Sequence, residues 1–382
     1  MILMQTKAIF IDAYRELNAK KLFWITMVLS LLVVLVIASV GINEEGVQFL
    51  WFKLGFIPAT TDLVSREEFY MSFFSVLGIT IWLTWIATIL ALISTSGMIP
   101  DLISGGTIET TLSKPISRSR LFLTKYFSGL LFVALQVGVF SVASFFVIGL
   151  RAQIWEPRLF LAIPIVLAFF SYLFSVSVFV GMITKAAMPA IMLTCLFWAM
   201  LFVLNSADSI LTVFKVQNTM VQEQRIARIE EIETNTTRLI RSEMNREEEG
   251  SGDDYEPSII EINERNPFLP PMRADLDKSE TNLNSLKLWA GIVYGVKTIL
   301  PKTGETSALL SYSLVKADEE SLDNTRTNNN DPNVFSIDED EMGRQVEEIF
   351  RSRPLWWVLG TSFLFEGILV MFCTWRFSRR DF

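Results

Sequence analysis

Residues 159–184, LFLAIPIVLAFFSYLFSVSVFVGMIT, run for 26 positions without a charged side chain. A helix needs about 20 apolar residues to cross the hydrocarbon core, and a helix satisfies its own backbone there. The stretch therefore reads as a membrane span. After Lys185 comes another, residues 186–207, containing IMLTCLFWAMLFVLNSA. Working outward, residues 22–43 contain WITMVLSLLVVLVIASVG, residues 69–100 contain FFSVLGITIWLTWIATILALI, and residues 126–150 contain LLFVALQVGVFSVASFFVIGL. A last run, residues 355–375, is interrupted by Glu366. The pattern predicts an all-α polytopic membrane protein with six transmembrane helices. The first run is too long for the h-region of a signal peptide and reads as a span.

Composition agrees. The 382 residues are 51% hydrophobic and 19% charged, with net charge −8. Residues 215–354 hold 28 Asp/Glu and 17 Lys/Arg, a net of −11, whereas the remainder carries +3. The chain is an apolar body with an acidic insert between the fifth and sixth spans. It contains no histidine, and its two cysteines, Cys195 and Cys373, both lie in apolar runs. Histidine-based catalysis, histidine metal sites and a disulfide framework are excluded. The acidic runs of the insert lack the ordered spacing of a calcium loop, so no metal site and no catalytic residue is assigned.

Orientation follows the Lys/Arg bias of the short flanks. With the N-terminus inside, the inner flanks carry twelve Lys/Arg and the outer short loops carry four, Lys53, Arg66, Arg151 and Arg158. Both termini are then cytoplasmic and the insert is extracytoplasmic. Residues 286–300, LKLWAGIVYGVKTIL, are too short and too charged to span, and read as an amphipathic helix on the outer leaflet.

The segments divide as follows. Residues 1–21 are a cytoplasmic stretch whose Ile9, Phe10, Ala13, Tyr14 and Leu17 fall at helical spacing, an interfacial helix on the inner leaflet. Residues 22–214 hold the first five spans and an inner loop, 101–120. Residues 215–354 form the insert, with a long amphipathic helix over 216–247 that continues the fifth span or pairs with its own copy. Residues 247–280 read as loop, 318–341 as polar and low in apolar content, and 341–353 as a helix. Residues 355–382 hold the sixth span and a basic tail.

Two features stand out as functional candidates. The inner loop, DLISGGTIETTLSKPISRSR, begins with Asp101, is punctuated by Gly105 and Gly106, and is stopped by Pro115. A short helix fits between those breakers. Glu366 is the acidic residue within a span core, where a carboxylate is costly and marks a functional hypothesis. It is either a polar element of a permeation path or interface, or a structural hydrogen bond to a neighbouring span, with Asn205 or Ser206 as partner.

Residues 105–132, GGTIETTLSKPISRSRLFLTKYFSGLLF, resemble the inner loop of ATP-binding-cassette (ABC) type-2 permeases. The matching positions are Gly106, Thr107, Ile108, Glu109, Leu112, Ser113, Lys114, Pro115, Ile116, Ser117, Arg118 and Lys125, with Thr111 where a second Leu is commoner. The outer insert and the Ile299-Leu300-Pro301 step are similar to the permease group of nitrous-oxide-reductase maturation. The resemblance covers residues 1–214 and 355–382. It implies a permease subunit of an ABC transporter in a bacterial inner membrane. A separate ATPase would bind ATP and Mg and dock on Asp101, Gly105, Gly106, Ile108, Glu109, Leu112, Lys114, Pro115 and Arg118. A second permease chain would complete the path.

The chain has no Gly-rich Lys-Ser/Thr phosphate loop of its own, so the ATPase must be a partner, and no cofactor is expected on this chain. Exposed ion pairs at the loop would each contribute about 0–1 kcal/mol, so packing of Leu102, Ile103, Ile108 or Leu112 should matter more. The competing reading is a membrane-anchored assembly or signalling protein that displays the insert to an extracytoplasmic protein. A third combines both, with ATP hydrolysis inside moving the outer domain. No nucleic-acid partner is expected.

Overall fold

The computed structural model describes residues 11, 15, 21–44, 46–50, 52–53, 65–104, 117–153, 155–247, 255–314 and 339–379. Six helices are long and apolar enough to cross a membrane: Lys21–Ser39, Arg66–Ile103, Arg118–Ala152, Pro157–Thr184, Ala187–Arg246 and Trp356–Ser378. The chain is a polytopic α-helical membrane protein with a large extracytoplasmic insert between its fifth and sixth spans. The expected interfacial helix over 1–21 lies outside the described residues apart from Ile11, Arg15 and Lys21, which are helical and exposed.

The chain folds as two compact units, Met1–Val203 with Thr298–Arg326 and Pro354–Phe382, and Leu204–Lys297 with Thr327–Arg353. The division falls at 203/204 and 297/298, so residues 298–314 belong with the spans.

In the span unit the fourth helix is central, with two thirds of its apolar stretch buried. It packs against the third and sixth spans, the helix Met98–Ser104 and the helix Thr303–Leu314. That explains a sequence apolar on every face. Its Ser175 hydroxyl donates to Tyr172 O three residues back at 2.7 Å, which suits it to an interior without water.

The second span departs from regular α geometry. Residues Phe74–Ala87 form a wider π-helical stretch. The Thr80 and Thr88 hydroxyls follow it, each donating to the carbonyl five residues back, Ser75 O at 3.1 Å and Leu83 O at 2.9 Å.

Beyond the first span the chain adds a small antiparallel meander to the all-helical reading. Val40–Asn43 pairs with Gly46–Phe49, and Gln48 pairs with Lys53. Gly46 turns the first hairpin with φ 116°, a backbone region open to glycine. Tyr70 Oη donates to Val40 O at 2.9 Å and ties this sheet to the second span.

The insert unit is a helical hairpin. The fifth span runs without interruption from Ala187 to Glu247, about 90 Å at 1.5 Å per residue. Its outer half pairs with Leu269–Ile299. Asp208 meets Lys297 and Glu233 meets Arg273 on that helix, and Glu243 meets Arg265 just before it. Rising numbers on one helix against falling numbers on the other make the pair antiparallel. Met220, Ile229, Leu269 and Leu283 are buried in this unit, whereas Ile226 and Leu239 of the fifth helix stay exposed. The loop expected over 247–280 is corrected in part. A helix Ile259–Arg265 starts on a capping box between Ser258 and Glu261, and the next helix begins at Leu269 with Pro270 and Pro271 in its first turn. Proline is tolerated there because those N–H groups lack helical acceptors anyway.

Candidate functional site

The inner loop enters on Met98–Ser104, whose apolar side is fastened to the bundle. Met98, Ile99 and Leu102 are buried. Pro100 lies against Gly181 of the fourth span, where a Cβ would come within 2.9 Å of its ring, and Met98 Sδ sits 3.4 Å from the Cβ position of Gly129 on the third. Asp101 is on the opposite side, exposed, its carboxylate over Gly97. Arg118 opens the helix of the third span after the extended Ser117. Gly105, Gly106, Ile108, Glu109, Leu112, Lys114 and Pro115 lie outside the described residues. Leu102, considered as a docking residue, instead packs into the core of its own chain. At helical spacing it lies on the side of Met98 and Ile99.

A second centre lies within the bundle, around Glu366 of the sixth span. Tyr126 Oη of the third span donates to Glu366 Oε1 at 2.8 Å, and Ser171 Oγ of the fourth donates to Oε2 at 2.6 Å. The partners are therefore Tyr126 and Ser171 rather than Asn205 or Ser206. Asn205 belongs to the insert unit. Stacking of Tyr126 on Phe174, with ring centroids 5.1 Å apart, holds the phenol on the fourth span. The carboxyl thus joins three spans through one side chain.

One turn before Glu366, on the same face, stands Ser362, fully buried. It accepts the backbone N–H of Lys302 at 3.0 Å. Lys302 is itself fully buried, an unusual place for a lysine. Its ammonium donates to Thr298 O and Leu300 O, each at 3.1 Å, and to Thr361 Oγ1. It lies 4.6 Å from the centre of the Trp357 ring, and the indole N–H donates to Thr298 Oγ1 at 3.0 Å. The Leu300-Pro301 step is thereby stapled to the start of the sixth span. The helix that follows, Thr303–Leu314, packs on the fourth span and the π-helical part of the second, where Ser311 meets Ser75 at 3.0 Å. Sequence reasoning missed Lys302 because its neighbours read as the end of an exposed amphipathic segment. The one signal was the Leu-Pro step beside a lone lysine.

At the base of the insert hairpin, Lys297 Nζ and Arg353 Nη2 both reach Asp208 Oδ2 at 2.8 Å, and all three side chains are at least nine-tenths buried. This cluster ties together the fifth helix, the return helix and the residue just before the sixth span.

Comparison with family models, curated proteins and solved structures finds no match. The functional reading therefore rests on the residues and their geometry.

Proposed function

We propose that this chain is the transmembrane subunit of an ABC transporter of the type-2 permease kind. A separate ATPase docks on the inner loop, and ATP-driven closure of that ATPase is passed to the spans. The observation that carries this reading is the seating of Met98–Ser104. Its apolar side is wedged against the third and fourth spans through Pro100 and Gly181 while Asp101 faces outward. A load that reaches Met98–Ser104 meets the fourth span directly at Pro100 and Gly181, and the fourth span holds Ser171 against Glu366. The loop motif quoted above supports the same assignment.

On this reading both termini are cytoplasmic, the membrane is a bacterial inner membrane, and a second permease chain completes the assembly. ATP and Mg sit on the partner ATPase. The insert hairpin favours conformational work on an extracytoplasmic protein as one form of output. Within the insert unit the Asp208 cluster closes a helical hairpin.

The test is mild solubilisation of the intact chain from its own host, with mass spectrometry of the captured proteins. The paired variant carries Ala at Glu109, Lys114 and Arg118 and Asp at Leu112. An ATPase captured by the native chain and lost with the variant supports the permease. If a well-folded native chain brings no ATPase but retains an outer protein, the assembly reading replaces it.

A further inference from the structure

Where the π-helical part of the second span returns to α geometry, a small, partly open cavity lies between the first four spans. Its polar lining is Thr26, Ser30, Thr88 and Gln136. Gln136 is 5% exposed, and its Nε2 amide group has no hydrogen-bond partner. An unmet amide donor in a membrane interior is unfavourable, because neither lipid nor an apolar neighbour can replace water.

We infer that this cavity is a binding site for a single water molecule, with Gln136 as its principal receptor. Size selects the ligand: the space admits water and nothing much larger, and a bound water needs two to four polar partners. The partners are present in the right sense. Gln136 supplies an N–H. Ser30 Oγ accepts the Trp82 indole N–H at 3.2 Å, which leaves its own hydroxyl proton to give. Thr26 and Thr88 already donate to Leu22 O at 2.8 Å and Leu83 O at 2.9 Å, so their oxygens can only accept. Two donors toward the water oxygen and two acceptors for its protons make a complete set. An amide turned over would accept from the same water. The lining carries no charged side chain, so an ion would enter without a counter-charge, which a low-dielectric interior disfavours.

The water would bridge the first, second and third spans at the place where the second changes its helical geometry. Such geometry changes recur at functional positions in helices. This inference does not depend on the permease reading.

The test is X-ray radiolytic footprinting of the intact chain in lipid nanodiscs, where bound water yields radicals in place. The reporters are Leu83 and Val133, which line the cavity and are almost fully buried. Leu121 and Leu173 are equally buried reference positions away from it. The expected result is oxidation of Leu83 and Val133 severalfold faster than Leu121 and Leu173, falling to the reference rate in Gln136→Leu. Cavity residues oxidised no faster than the references would overturn the proposal, as would an undiminished rate in a folded Gln136→Leu. Should that variant fail to fold, the native comparison decides alone, with Gln136→Met as the second variant.

Discussion

Glu366 keeps two hydroxyl donors, one from each neighbouring span, and removing either has a definite cost. Polar contacts between spans contribute about 0.6–2 kcal/mol. Tyr126→Phe should therefore lower stability by about 1 kcal/mol in a detergent melt followed by tryptophan fluorescence, and Ser171→Ala by a similar amount. Glu366→Gln keeps an acceptor of the same shape and should melt near the native chain. Its ATP-driven turnover should nevertheless change, and native turnover in that variant would leave the carboxyl a purely structural role. The position of Glu366 was legible because a charge stands out in an apolar run. Its partners were not. Tyr and Ser are ordinary residues in a span, and hydropathy does not say which faces of which helices meet. Lys302 was hidden for the converse reason, since a lysine at the end of an exposed amphipathic segment gives no sign of burial.

At the scale of single elements, the insert hairpin depends on its closing cluster. Asp208→Ala removes the carboxylate that two buried cations share and should cost about 3–5 kcal/mol, the usual penalty for breaking a buried ion pair. The reading is faster proteolysis within 204–297 while the spans stay intact. The short helix Ile259–Arg265 carries a pH signature. The Tyr255 hydroxyl and the Ser258 backbone N–H donate to Glu261, holding its carboxyl below the ordinary 4.5. A lowered value means that the stabilisation is present above the ordinary carboxylate range and is lost as pH falls through the lowered value. NMR shifts of residues 259–265 should accordingly stay helical on acidification to the ordinary value and move only below it. This helix was missed because Pro267, Pro270 and Pro271 read as loop. The capping pattern and the tolerance of proline in a first turn were the stronger signals. At the inner end of the fourth span, Gly181→Val drives a side chain into the Pro100 ring. Overpacking of this kind costs about 1–3 kcal/mol, and it should reduce coupled ATP turnover more than it reduces ATPase capture.

For the molecule as a whole, the six spans and the polar insert followed from hydropathy alone, because the bilayer imposes a length and an apolar character that few other structures share. The split into two units did not. It depends on residues 298–314 turning back among the spans, and on ion pairs that join the return helix to the fifth helix. Neither leaves a periodic mark. Topology has a direct check in a background lacking Cys195 and Cys373. A membrane-impermeant thiol reagent applied to whole cells should label Lys278→Cys in the insert and spare Ser117→Cys at the start of the third span. The reverse pattern would invert the protein in its membrane.

The central claim is that the inner loop couples a separate ATPase to these spans. The most direct measurement is ATP turnover by the purified assembly in nanodiscs, comparing the native chain with the variant bearing Ala at Glu109, Lys114 and Arg118 and Asp at Leu112. Coupling requires the native chain to raise turnover above that of the ATPase alone and the variant to lose the increase while its spans melt normally. Equal turnover with native chain, variant and no chain would contradict it.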